Sequence, residues 1–220
     1  MPTIFLAGDS TVAKDQKPFA GWGQMLQPFF KPEIVVANHA KSGRSSKSYI
    51  AEKRLETIIN EIKPGDYLLV QFGHNDQKPD EDRKTDPFTT YPQTLQIYID
   101  AAHAKGAFPV LITPVYRRRF NENGVQQDTH GEYPNAVRRL AAQKNVPLLD
   151  LHKKSGELIA ELGVEKSKDI FVHVEPGVYE KHPQGIQDDT HFSKYGAAEI
   201  ARLVINQIKD SMPELAAYIN

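Results

Sequence analysis

Short β-rich runs alternating with longer segments of helical period predict an α/β fold, with a five-stranded parallel sheet covered by helices on both faces. The runs occupy residues 4–7, 34–37, 67–72, 109–113 and 147–150. Their apolar character is nearly continuous, as expected of strands that meet no water on either side. Between the second and third runs, Leu55, Ile58, Ile59 and Ile62 fall at i, i+3, i+4 and i+7. That spacing makes one apolar helical stripe, which Pro64-Gly65 stops. Residues 91–105, 133–144 and 151–162 read as further helices of weaker period. A last helix has Ser193 placed to cap it and Ile200, Leu203, Val204 and Ile208 as its buried face.

No internal repeat, low-complexity tract or linker divides the 220 residues, so one domain spanning 1–220 is expected. Two connections, 78–90 and 114–133, are long and polar, and loops of that length in a compact domain usually carry function. A net charge of -1 gives no field to hold nucleic acid or an anionic membrane. The absence of cysteine removes disulfides, thiolate metal sites and a Cys nucleophile together. No apolar stretch approaches the about 18 residues that a bilayer requires. Only seven residues precede Gly8-Asp9-Ser10, without a basic segment and apolar run, so a cytoplasmic location is expected. Oligomeric state cannot be read from the sequence.

In an open parallel sheet, ligands sit beyond the carboxyl ends of the strands. Gly8-Asp9-Ser10-Thr11 follows the first run, residues 38–45 the second, and Gly73-His74-Asn75-Asp76 the third. Singly, each is ordinary turn chemistry. Together they supply what acyl transfer by a serine needs: a hydroxyl, a base, a group that orients the base, and donors for an oxyanion. Ser10 is the candidate nucleophile and His191 the base. Asp188, three residues earlier, can turn back to the imidazole within one loop. The N–H groups of Ser10 and Gly43, with the Asn75 amide, are candidate oxyanion donors, glycine at 43 permitting close approach to a substrate.

These residues resemble the SGNH subgroup of GDSL hydrolases in four blocks: Gly8-Asp9-Ser10, Gly43, Gly73-His74-Asn75-Asp76, and Asp188-x-x-His191. The blocks occur in order across nearly the whole chain. The resemblance implies a flavodoxin-like three-layer α/β/α sandwich and ester hydrolysis with no metal or organic cofactor. It also implies a Ser10, Asp188, His191 triad, with Ser10, Gly43 and Asn75 as the oxyanion donors. Longer strings resemble the rhamnogalacturonan acetylesterase branch: residues 5–12, Gly21-Trp22-Gly23, residues 38–45, residues 72–76 and Asp189-Thr190-His191-Phe192. That narrower likeness implies an acetylated oligosaccharide as substrate. A lipase, thioesterase or short-chain carboxylesterase of the same fold is the enzymatic alternative, and a carbohydrate-binding module the non-catalytic one.

Other residues carry weaker expectations. Asp9 is expected to fix the loops around Ser10 by accepting backbone hydrogen bonds. Asp189, the rival of Asp188, would cap the following helix or face solvent. His74 is either a buried histidine satisfied by backbone groups or a substrate contact, and Arg44 is a candidate substrate contact. Arg117, Arg118 and Arg119 are either a solvated turn or a site for a substrate carboxylate. His130, His173 and His182 fall in loop-like segments with no ligand pair on one helix face, so no metal site is expected. A lone tryptophan is usually core, and Trp22 is expected to pack there.

Overall fold

The computed structural model describes residues 1–220. In chain order its main elements are β1 (Thr3–Gly8), β2 (Val35–Asn38), α1 (Ser46–Ala51), α2 (Arg54–Glu61), β3 (Tyr67–Gln71), α3 (Thr90–Ala104), β4 (Phe108–Ile112), α4 (Tyr133–Lys144) and β5 (Leu148–Leu149). They are followed by α5 (Leu151–Lys166), β6 (Phe171–Val174), β7 (Ile186–Phe192), α6 (Lys194–Ser211) and α7 (Pro213–Ala216). The first five strands form one parallel sheet in the order β2-β1-β3-β4-β5.

The pleat sorts each strand between two cores, since successive side chains point to opposite faces. Ile4 and Leu6 of β1, with Leu69 of β3 and Val110 and Ile112 of β4, pack with Leu151 and Ile159 of α5 and Ile200, Val204 and Ile208 of α6. Phe5 and Ala7, with Leu68, Val70 and Leu111, pack with Leu55 and Ile58 of α2, Leu95 and Ile99 of α3, and Val137 and Leu140 of α4. Three layers result, as the sequence predicts. Trp22 lies in the first core, where its Nε1–H donates to Gln71 Oε1 at 2.8 Å.

α1, the β6–β7 pair and the short C-terminal α7 lie outside the sequence reading. α1 is too short to show a period. It exists because Ser45 and Ser48 form a reciprocal capping box, and a left-handed Lys53 (φ 58°) separates it from α2. β6 and β7 form a separate antiparallel hairpin. The expected break near residue 162 falls where Gly163 leaves helical geometry (φ 69°, ψ -172°) and kinks α5.

A buried carboxyl ties together the loops beyond the sheet. Asp76 accepts hydrogen bonds from Ser46 N–H (3.1 Å), Ser46 Oγ–H, Gly73 N–H (3.0 Å) and Thr85 Oγ–H (3.2 Å). Burial pushes its acid up to about 7, with the Asp9 charge adding to the effect and the bonds from Ser46 and Thr85 opposing it. A folded-state value above the ordinary 3.8 means that this contribution to stability is complete below that pH and is lost as pH rises through about 7. The unfolding free energy of the wild type should therefore fall between pH 4 and 7 relative to that of Asp76→Asn. Denaturant titrations across that range test this, and parallel curves for the two proteins would contradict it.

Candidate active site

Because β1 lies between β2 and β3, the turns that leave these three strands emerge side by side at the carboxyl edge of the sheet. Ser10 stands in the first turn. Beneath it, the fully buried Asp9 accepts from Thr11 N–H (2.9 Å) and Thr11 Oγ–H (2.8 Å), the loop-fixing role expected of it. The other face of Asp9 meets His74, whose Nδ1 lies 3.4 Å from Oδ2.

Asp188 and His191 come from the β6–β7 hairpin, on strand β7 rather than in the loop that the sequence suggested. The ladder slips between Phe171, which pairs with Phe192, and Val172, which pairs with Asp188. In that bulge Asp188 Oδ1 accepts the N–H groups of Thr190 and His191, each at 2.8 Å. Its Oδ2 lies 2.8 Å from His191 Nδ1, and His191 Nε2 lies 3.0 Å from Ser10 Oγ. Burial opposes the charge on Asp188, yet the side-chain and backbone bonds from His191 prevail and bring it down to about 2. The bond to Asp188, partly opposed by burial, holds His191 above the ordinary imidazole value. Asp188 therefore accepts Nδ1–H and leaves the Nε2 lone pair facing the Ser10 hydroxyl.

The candidate oxyanion donors are free to act. Ser10 N–H and Gly43 N–H make no hydrogen bond within the chain. Asn75 spends one amide hydrogen on the Arg44 carbonyl (3.1 Å), which orients the side chain and leaves the second available. Gly43 has φ +83° and open space where a side chain would project, so the left-handed backbone, rather than crowding, calls for glycine here.

These groups open into a cavity of about 670 Å³ in which Phe19 is the one hydrophobic residue among fourteen. His74, Lys78, Arg83 and Arg117 also line it. Arg117 donates to Thr129 Oγ1 (3.1 Å) and to the His74 carbonyl (3.3 Å) and forms no ion pair. Its neighbours do not share its position. Arg118 is buried and bonds Asp189 (2.7 Å), Ser167 Oγ (3.1 Å) and the Val164 carbonyl (2.7 Å). Arg119 is exposed and lies outside the cavity lining. Arg44 is also withdrawn, because its Nε is captured by Glu52 at 2.9 Å.

Two further expectations need correction. Asp189 neither caps a helix nor stands free, since it binds Arg118 and, at 2.8 Å, His173 of β6. His173 is thus on a strand and paired. His130 stays in its loop but is 1% exposed, and it comes together with Asp128 and His152. His182 does occupy a turn, with its ring edge-on to Phe19 at 6.1 Å. Lys78 and Arg83 escaped the sequence reading as individual residues, although the length and polarity of the 78–90 connection marked their loop. Phe19 left no such signal.

Residues 6–198 match the GDSL-like lipase/acylhydrolase family. The chain is 48% identical over 210 residues to "Rhamnogalacturonan acetylesterase RhgT" of Bacillus subtilis (strain 168), covering 94% of this chain and 89% of the relative. It is 45% identical over 210 residues to "Probable rhamnogalacturonan acetylesterase YesY" of the same organism, covering 94% and 92%. The crystal structure of protein YxiM from Bacillus subtilis superposes with a TM-score of 0.79 at 29% identity, over 95% of this chain and 56% of that longer one. A catalytic mutant of Axe2, an acetylxylan esterase from Geobacillus stearothermophilus, shares the fold with a TM-score of 0.64 at 19% identity, over 94% of each chain. With a family match over most of its length and close relatives aligned nearly end to end, the chain belongs to the GDSL-like lipase/acylhydrolase family and is a carboxylic ester hydrolase.

Proposed function

We propose that the protein is a serine acetylesterase that removes O-acetyl groups from rhamnogalacturonan (pectin) oligosaccharides. The observation that carries this reading is the aligned Asp188, His191 and Ser10 set, opening into a polar cavity that contains an unpaired guanidinium. The names of the two Bacillus relatives support the choice of sugar.

In the proposed reaction, Ser10 Oγ attacks the acetyl carbonyl carbon while its proton passes to His191 Nε2. The carbonyl oxygen becomes an oxyanion that accepts from Ser10 N–H, Gly43 N–H and the free Asn75 N–H. Collapse breaks the bond to the sugar oxygen, which leaves with the proton from His191. Water then enters, gives a proton to the same nitrogen and attacks the acetyl-Ser10 ester, and acetate departs as Ser10 regains its proton. The charge of Asp188 stabilises the imidazolium in both halves.

The lining also bears on the acyl chain. Each buried methylene contributes about 0.8 kcal/mol of apolar burial where a site can receive it. With only Phe19 to offer, the cavity gives a longer chain little, and an acyl group larger than acetyl displaces water from charged walls for little return. Arg117, desolvated and without a carboxylate partner, suits the carboxylate of a galacturonate residue; Arg118 and Arg119 are not placed for that role.

Ser10→Ala and His191→Ala should each lower kcat by roughly a thousandfold or more, with the double variant little worse than either, because such groups act as a unit. Steady-state kinetics on nitrophenyl acetate test this, and additive losses would exclude a triad. Since the base must be neutral, kcat/KM should rise with pH through an apparent pKa above the imidazole value of about 6.5, the direction in which Asp188 moves His191. A profile flat from pH 5 to 9 would contradict a histidine base.

Chain length and charge separate the substrate readings. Across nitrophenyl esters, kcat/KM should fall steeply from acetate to butyrate and be negligible by octanoate, and a rise through octanoate would favour a lipase. Arg117→Gln should raise KM for acetylated pectic oligosaccharides about tenfold or more, as expected on losing one charge-assisted contact. The same variant should leave nitrophenyl acetate hydrolysis nearly unchanged. Equal losses on both substrates would assign Arg117 to loop support.

A further inference from the structure

Behind the cavity wall, two segments far apart in sequence bring together Asp128 and His130, from the connection between β4 and α4, and His152, from the first turn of α5. One ligand atom from each lies within 4.8 Å of the other two. His152 Nε2 is 3.3 Å from Asp128 Oδ1, and His130 Nδ1 is 3.9 Å from the same oxygen. The His130 side chain is 0% exposed and the His152 side chain 8%. Both ring nitrogens of His130 and Nε2 of His152 have no hydrogen-bond partner in the chain. Buried polar atoms are seldom left in that condition unless something outside the chain satisfies them.

We propose that Asp128, His130 and His152 form a binding site for one transition-metal ion of the Zn²⁺ type, with water as the fourth ligand. Zinc–nitrogen and zinc–oxygen bonds of about 2.0–2.2 Å place the donors of a tetrahedron roughly 3.3–3.5 Å apart. The His152 to Asp128 separation of 3.3 Å already fits, the 3.9 Å separation requires a small contraction, and the two imidazole nitrogens, within 4.8 Å of each other, close by up to about 1.4 Å around the ion. Two imidazoles with one carboxylate select against Mg²⁺ and Ca²⁺, which prefer oxygen throughout.

The site's position indicates a structural effect. None of the three residues lines the Ser10 cavity, but Asp128 and His130 are one step from it. Thr129, between two of the ligands, accepts from Arg117, and the His130 ring packs edge-on against His74 with centroids 4.7 Å apart. An ion there fastens the 121–132 segment to α5 and thereby steadies two residues of the cavity wall. The proposal is independent of the esterase reading, because it stands on residues outside the reacting groups.

The test uses the full chain without a histidine tag, stripped with chelator, dialysed and re-exposed to Zn²⁺. Elemental analysis should find about one zinc per chain, and saturation at a hundred times Kd should raise Tm by roughly 5–10 °C for a domain of this size. Asp128→Asn, at a partly exposed carboxylate, and His152→Gln should each lose the zinc and the shift, while His103→Gln, on an exposed helix end, should keep both. No retained zinc and no Tm shift at up to about 100 µM Zn²⁺ would overturn the proposal, as would equal binding by all three variants. Cobalt in the unaltered chain supplies a reading that needs no variant: intense visible bands of four-coordinate Co²⁺ are expected, and the weak spectrum of the hexaaqua ion would count against the site.

Discussion

The arrangement of the site rests on the buried Asp76 carboxyl. Its partners come from three segments that share no strand pairing: Ser46 at the start of α1, Gly73 at the exit from β3, and Thr85 in the 78–90 connection. Between Gly73 and Asp76 lies Asn75, and between Asp76 and Thr85 lie Lys78 and Arg83. Fixing the ends of these stretches fixes what they present to the cavity. Tyr133 extends the same anchor to α4, its hydroxyl donating to the Thr85 carbonyl at 2.5 Å with the Asp76 carbonyl 3.1 Å away. Loops have few backbone partners of their own, so a single side chain with several acceptor positions can replace a ladder of hydrogen bonds. Loss of that group leaves several buried donors unpaired at once, which costs more than the bonds contribute singly.

A second constraint acts on the hairpin. Asp188 and His191 sit outside the main sheet, and their alignment with Ser10 depends on how β7 is held against it. Two neighbouring carboxylates divide that work. Asp188 engages both its oxygens inside the bulge and on the imidazole, while Asp189 binds Arg118 and His173. Arg118 continues to the Val164 carbonyl and Ser167, just past the Gly163 kink in α5. These contacts thus run from a helix break through one guanidinium to the strand that carries His191, the proposed base. Arg118 is buried with its fork filled, so it acts as a brace, the use to which a planar guanidinium is better suited than an ammonium.

The main sheet was legible because both of its faces are buried, and that condition writes itself into short continuous apolar runs. The residues around Ser10 were legible because they occupy the turns after β1, β2 and β3, where a parallel sheet must place a ligand. What the sequence concealed has particular causes. The β6–β7 hairpin escaped the sequence reading because β6, although built of the strand formers Phe171, Val172 and Val174, is four residues long, and because Asp188 and Asp189 are poor strand formers held in β7 by the bulge and by Arg118. Arg44 follows Gly43 directly, yet its side chain turns to Glu52, and no rule of spacing reports where a long side chain finds its charge partner. Asp128, His130 and His152 share no helix face. Only the packing of one loop against the start of α5 makes them neighbours.

Arg117, Arg118 and Arg119 show how three identical residues in sequence acquire different work. The N–H of Arg118 donates to the Asp189 carbonyl at 2.9 Å, so the segment runs beside β7 and throws its middle arginine inward. Arg119 is then turned to solvent and Arg117 toward the cavity. Burial lowers the affinity of Arg117 for its proton and the charges of Asp9 and Asp128 partly restore it, but neither carboxylate forms an ion pair with it. A guanidinium kept partly desolvated without such a partner holds interaction energy in reserve for an incoming anion. On the proposed reading, a uronate carboxylate bound there would apply that energy at a distance, holding the sugar so that its acetyl carbonyl lies against Ser10 and the oxyanion donors. Binding energy used for orientation raises kcat/KM only for substrates that carry the group. The preference for an acetylated acidic sugar over a neutral one would therefore arise at Arg117, outside the bonds that break.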